Sequence, residues 1–117
     1  MAESRILIRQ EGKRGFIKIE GEGTFQNASA FKTASREMLQ SGVTDFVLDL
    51  GSCESLDSTM LGHFLGLGLK LKEKTAGHIR VLKANGFIRN SFRGFGMDRM
   101  FFFDEPEAGG RDQIGGQ

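Results

Sequence analysis

The stretch Leu56-Asp57-Ser58-Thr59-Met60-Leu61-Gly62 decides how the rest of the chain is read. Upstream of it lies an apolar run, Phe46-Val47-Leu48-Asp49-Leu50, and downstream a glycine-spaced one, Gly62-His63-Phe64-Leu65-Gly66-Leu67-Gly68. A strand, a hydroxyl-bearing turn and a helix start place Ser58 and Thr59 at a helix N-terminus. Such an end has unpaired N–H groups and a partial positive charge, so it can accommodate a phosphate. Asp57 or Ser58 is equally suited to be a plain helix cap.

Working outward, Phe46 to Leu50 is almost continuously apolar, as a central strand covered on both faces should be. The second helix, opened by Ser58 or Thr59, runs to about Lys74, with Leu61, Phe64, Leu65, Gly68 and Leu71 facing inward. Gly62, Gly66 and Gly68 each weaken a helix interior by about 1 kcal/mol relative to Ala, and close approach of the helix backbone to the sheet is the expected reason.

Before this unit, Ile6-Leu7-Ile8 and Phe16 to Glu20 read as strands paired in a hairpin, the second half-buried through Ile17 and Ile19. Gly21-Glu22-Gly23-Thr24 reads as a strand exit, and Asn27 as the N-cap of a first helix ending near Gln40. Ala28, Phe31, Ala34 and Met38 form its buried stripe. After the second helix come a strand at Ile79–Leu82 and a third helix over 86–95, with Ile88, Phe92 and Phe95 inward and Arg89 and Arg93 outward. A short strand at Met100–Phe103 closes the domain. The order β-β-α-β-α-β-α-β predicts an α/β fold, a mixed sheet of about five strands with helices packed against it. Residues 1–104 form one domain, and the glycine-rich 105–117 read as a flexible tail.

Composition narrows the function classes. The chain has 117 residues and a formal net charge of +1, short of the basic balance of a nucleic-acid binder. Cys53 is the only cysteine, so no internal disulfide forms and a reducing, cytoplasmic setting is expected. The opening residues carry no pattern from which a signal peptide is expected, and the longest apolar run, Leu61 to Leu69, is too short to insert into a membrane.

Catalysis finds no constellation. His63 lies five residues beyond Ser58, about 140° around a helix, and is not placed to act as its base. Cys53, His63 and His78 lack metal-ligand spacing, and no P-loop occurs, so neither metal nor cofactor is expected.

Three places together resemble the STAS domain family, and within it the bacterial anti-sigma factor antagonists. Phe46 to Leu50 followed by Leu56-Asp57-Ser58-Thr59 and Leu61-Gly62 looks like the family's strand, loop and Asp-Ser-Ser/Thr-Gly-Leu-Gly helix start. Gly77 to Leu82 looks like its fourth strand. Ile88 to Phe92, with Phe95-Gly96-Met97-Asp98-Arg99-Met100-Phe101, looks like its closing helix and strand.

The resemblance implies a binding module and not an enzyme. Such proteins bind an anti-sigma factor that is also a serine kinase of the histidine-kinase-like ATPase type. Phosphorylation of a serine at the start of the second helix ends the interaction, and a metal-dependent serine phosphatase restores it. The phosphoserine falls on Ser58, with Thr59 as the alternative. The implied partner surface comprises Glu22, Thr24, Glu54, Asp57, Ser58, Thr59, Met60, Leu61 and Gly62. Met60 stands where the family usually has Gly, a bulky side chain beside the phosphosite, and Thr24 near where an Asp is common. Other family members resemble regulatory subunits docked on transporter ATPases, which need no phosphorylation.

Overall fold

The structure is a computed structural model that describes residues 4–97 and 100–104. The expected tail at 105–117 and the Asp98-Arg99 pair lie outside the described residues.

Strands β1 (Arg5–Glu11) and β2 (Arg14–Gly23) form the expected hairpin, antiparallel from Arg5↔Glu20 to Glu11↔Arg14. Gly12, at φ +58°, makes the tight turn. Helix α1 (Phe25–Gln40) leads to β3 (Asp45–Asp49), β4 (Cys53–Leu56) and α2 (Ser58–Lys74). Strand β5 (His78–Leu82), helix α3 (Gly86–Gly94) and the two-residue β6 (Phe102–Phe103) complete the chain. The sheet has six strands in the order β1-β2-β3-β5-β6, with β4 paired to β2 off that path. All pairings after the hairpin are parallel.

Ile17, Ile19, Phe46, Leu48, Ile79 and Val81 are buried in one core with the helices' apolar sides. Phe16, Lys18, Asp49 and Arg80 alternate with them, half-buried or exposed, as strand periodicity requires. Phenylalanine dominates where the helices meet. Phe31 meets Phe64 edge-on at 4.8 Å, Phe64 stacks with Phe92 at 5.9 Å, and Phe92 touches Phe101 and Phe103 at 5.2 and 5.1 Å. Phe31, Phe64 and Phe92 are completely buried, where a Tyr hydroxyl would need a partner.

Several sequence expectations are corrected. The Gly21–Gly23 segment is not a strand exit: β2 continues through it, and a bulge between Gly21 and Glu22 re-aims it to pair with β4. Gly21 turns there at φ +82°, and a Cβ on Gly23 would lie 2.5 Å from Leu56 Cδ2. Strand β4 is the sixth strand, too short and polar to stand out in the sequence. The α1 cap is Thr24 and not Asn27: the Thr24 Oγ1 accepts from Gln26 N–H at 3.2 Å, and Asn27 Oδ1 accepts from Thr24 N–H at 2.8 Å.

In α3, Phe95 is more than half exposed, because the helix ends before it and Gly96, at φ +71°, turns Met97 into the core instead. Arg89 does not point freely outward. It donates to the Ala84 and Asp104 carbonyls and lies 5.0 Å over the Phe103 ring.

Candidate functional site

The site sits where β4 hands over to α2, at the end of the sheet from which all three helices start. Asp57 fixes it. Its Oδ1 accepts from Met60 N–H at 2.9 Å, capping α2, while its Oδ2 accepts from Phe25 N–H at 2.8 Å, in the first turn of α1. Its own N–H donates to Gly23 O at 2.9 Å. One carboxylate therefore joins two helix N-termini, and the backbone of the same residue ties them to the end of β2.

Ser58 and Thr59 follow as the first residues of α2, both exposed. Their N–H groups lie in the turn for which the helix supplies no acceptors, so the surface is favourable to an anion. Gly62, one turn beyond Ser58 and exposed, leaves open space, since a Cβ there would meet nothing within 4 Å. Glu54 and Glu22 are exposed on the neighbouring strands, Ser55 of β4 lying opposite Glu22 of β2. The parallel pairing of β2 with β4 thus brings Glu22, Glu54, Ser58, Thr59 and Gly62 to one end of the molecule, with half-buried Thr24 and Asp57 as the frame between them.

Met60 and Leu61 do not belong to that surface. Met60 is fully buried and Leu61 nearly so, because the third and fourth positions of α2 face the sheet. Met60 runs beneath Gly23 and does not stand beside Ser58. Thr24 is committed to capping α1.

The glycines of α2 are also corrected. Only Gly68 has a close packing neighbour, and it is the closing segment: a Cβ would lie 2.7 Å from Met100 Sδ. A Cβ added to Gly62 or Gly66 would meet nothing within 4 Å.

Phe25 is the residue that sequence reasoning missed. It is 68% exposed although large and apolar, and its backbone is hydrogen-bonded to Asp57 beside Ser58. An aromatic directly after a Thr that precedes a helix was the available signal. Phe87, 63% exposed at the start of α3, lies at the same end of the sheet.

The single thiol is not part of this surface. Cys53 is buried, its Sγ donates to Ser55 O, and burial pushes its pKa up to about 11. Among the described residues no group of His, Cys, Asp and Glu could hold a metal ion, and no helix is long and apolar enough to cross a membrane.

This architecture is shared with solved anti-sigma factor antagonists. The chain is similar to a candidate anti-sigma factor antagonist from Thermotoga maritima, with a TM-score of 0.76 at 19% identity over 87% of this chain and 88% of that one. It is similar to the antagonist SpoIIAA in its unphosphorylated form, with a TM-score of 0.71 at 19% identity over 86% and 88% of the two chains. The Bacillus cell fate determinant SpoIIAA in its phosphorylated form gives a TM-score of 0.70 at 18% identity over 88% and 94%. At these identities the likeness is one of fold. The family profile described as "Mlab, STAS domain" matches residues 6–102, and the chain belongs to that STAS domain family. No curated protein matches it.

Proposed function

We propose that this protein is a phosphorylation-switched binding module of the cytoplasm, whose unphosphorylated form docks on an anti-sigma factor of the histidine-kinase-like ATPase type. The kinase supplies its own ATP and transfers the γ-phosphoryl group to Ser58 Oγ, with ADP as leaving group and loss of the hydroxyl proton, and a metal-dependent serine phosphatase hydrolyses the phosphoserine to serine and inorganic phosphate. The chain itself catalyses nothing. The observation that carries this reading is the exposure of Ser58 as the first residue of α2, on a frame held by the Asp57 carboxylate. SpoIIAA, which shares the fold, is described in both phosphorylated and unphosphorylated forms.

The physics is local. A phosphoserine adds about −1.5 to −2 charges and three acceptor oxygens. The helix N-terminus tolerates that charge, whereas a partner fitted to a neutral hydroxyl beside Glu54 and Asp57 does not. A loss of about 3 kcal/mol corresponds to roughly a hundredfold weaker binding.

The test is intact-mass and phosphosite mapping of the protein from its native host, with partner binding measured for Ser58→Ala and Ser58→Asp. One phosphate on Ser58, and a Ser58→Asp variant that folds but does not bind, support the switch. Undiminished binding by Ser58→Asp refutes it.

The exposed Phe25 favours a second reading, constitutive docking on a transporter ATPase. An apolar anchor beside Ser58 holds a partner regardless of phosphorylation. Co-purification with a transporter ATPase, and no phosphate under several growth conditions, selects it.

A further inference from the structure

A groove between α1 and α2 begins about one turn below the Ser58 surface. It consists of two hollows, of about 160 and 330 Å³, that share Arg36, Leu39 and Lys70 as lining. Lys32 and His63 flank the first hollow and Lys74 the second. Leu67 and Val43 add apolar floor beside Leu39. No carboxylate lines either hollow.

Two features of this groove cost the fold stability, although Lys74, in the last turn of α2, also offsets the partial charge of that helix end. The first is electrostatic. Lys32 and Arg36 on α1, and Lys70 and Lys74 on α2, are same-charge pairs spaced four residues apart, an arrangement that destabilises a helix. None of the four is in an ion pair among the described residues. The second is Gly66, which lines the first hollow. A glycine weakens the helix interior, yet a Cβ at this position would meet nothing within 4 Å. Its effect is to keep the groove open.

We propose that this groove receives an acidic amphipathic segment of the partner protein, carboxylates reaching the four cations and apolar side chains resting on Leu39 and Leu67. The inference rests on the reading that a protein docks at the start of α2. The groove continues that surface along the same helix, through Gly62 to His63 and Gly66. The apolar floor, and a lining whose only ring is His63 with no Phe, Tyr or Trp, favour a protein segment over stacked nucleic-acid bases. The near-neutral net charge of the whole chain agrees.

The experiment titrates the full chain with a helical peptide of alternating glutamate and leucine faces, followed by amide chemical shifts and calorimetry. Oligo(dT), inorganic phosphate and phosphatidylglycerol vesicles serve as competing probes. The expected result is a cluster of shifts at Lys32, Arg36, Gly66, Lys70 and Lys74, weakened by added salt. The double variant Arg36→Glu/Lys70→Glu should bind at least about tenfold more weakly, a change of about 1.4 kcal/mol. Gly66→Met, which replaces a poor helix former by a good one, should remain folded and lose binding by filling the hollow. The peptide is titrated against the unphosphorylated chain and its binding requires no phosphate on Ser58, so failure of the phosphorylation switch leaves this readout intact. Shifts scattered away from the groove, charge reversal without effect, or tighter binding of oligo(dT), phosphate or vesicles than of the peptide would overturn the proposal.

Discussion

The Asp57 carboxylate accepts the Phe25 N–H at 2.8 Å across two helices, while its other oxygen caps its own helix at Met60. Cap and crosslink are thus one side chain, and losing it leaves two first-turn N–H groups without their acceptor. Asp57→Ala should lower stability by about 2 kcal/mol, the upper end for a single cap. Urea unfolding measures the loss, and hydrogen exchange should show Phe25 and Met60 amides losing protection together.

Phe25 is a position where the proposed docking can be tested apart from folding. Its side chain is mostly in water, so Phe25→Ala should change stability by no more than about 0.5 kcal/mol. If Phe25 anchors the partner, affinity should fall by about tenfold or more. Parallel unfolding and binding titrations read the two effects apart.

The α2 glycines should split into two groups. Gly62→Ala and Gly66→Ala each meet open space and should stabilise the protein by up to about 1 kcal/mol. Gly68→Ala forces Met100 to move and should forfeit that gain. Thermal unfolding of the three single variants checks the order.

Gly77→Ala should be the most damaging glycine substitution. A Cβ there would lie against the Thr44 carbonyl, which accepts from His78 N–H at 3.1 Å where β5 meets β3. Relief requires shifting backbone against backbone, with an expected loss above about 2 kcal/mol in urea unfolding.

Cys53 links stability to alkaline pH. Its folded pKa of about 11 lies above the ordinary 9.0, so the unfolded chain releases the thiol proton first. Stability should therefore be complete below pH 9 and decline by about 1.4 kcal/mol per pH unit up to pH 11. Cys53→Ala should remove that slope from unfolding curves. The native thiol should also resist alkylation at neutral pH, since the protonated form is a poor nucleophile.

The elements with strong periodicity were legible in the sequence. The hairpin, the buried stripe Ala28, Phe31, Ala34 and Met38, and the helix starting at Ser58 all follow from side-chain spacing alone. Strand β4 was hidden because its four residues pair with one end of β2, a partner that lies 32 positions away at Gly21↔Cys53. Thr24 was masked by Asn27, which has the right chemistry for a cap but serves at the third helical position. Phe95 fits a helical stripe and is exposed because Gly96 ends the helix one residue too early for that stripe to continue.

At the site, Ser58 and Asp57 were readable as a helix start. That Asp57 would reach Phe25, and that Met60 would turn inward, required knowing how β2 approaches α2 through Gly23.

The side chains that hold the start of α2 in place are not those it displays. Asp57, Thr24 and Met60 secure the frame, while Glu22, Phe25, Glu54, Ser58 and Thr59 stand in solvent on top of it. Substitutions among the displayed residues carry little folding penalty. The same scaffold can therefore exchange one partner for another by a few surface changes, each intermediate remaining folded, so partner choice is free to diverge faster than architecture.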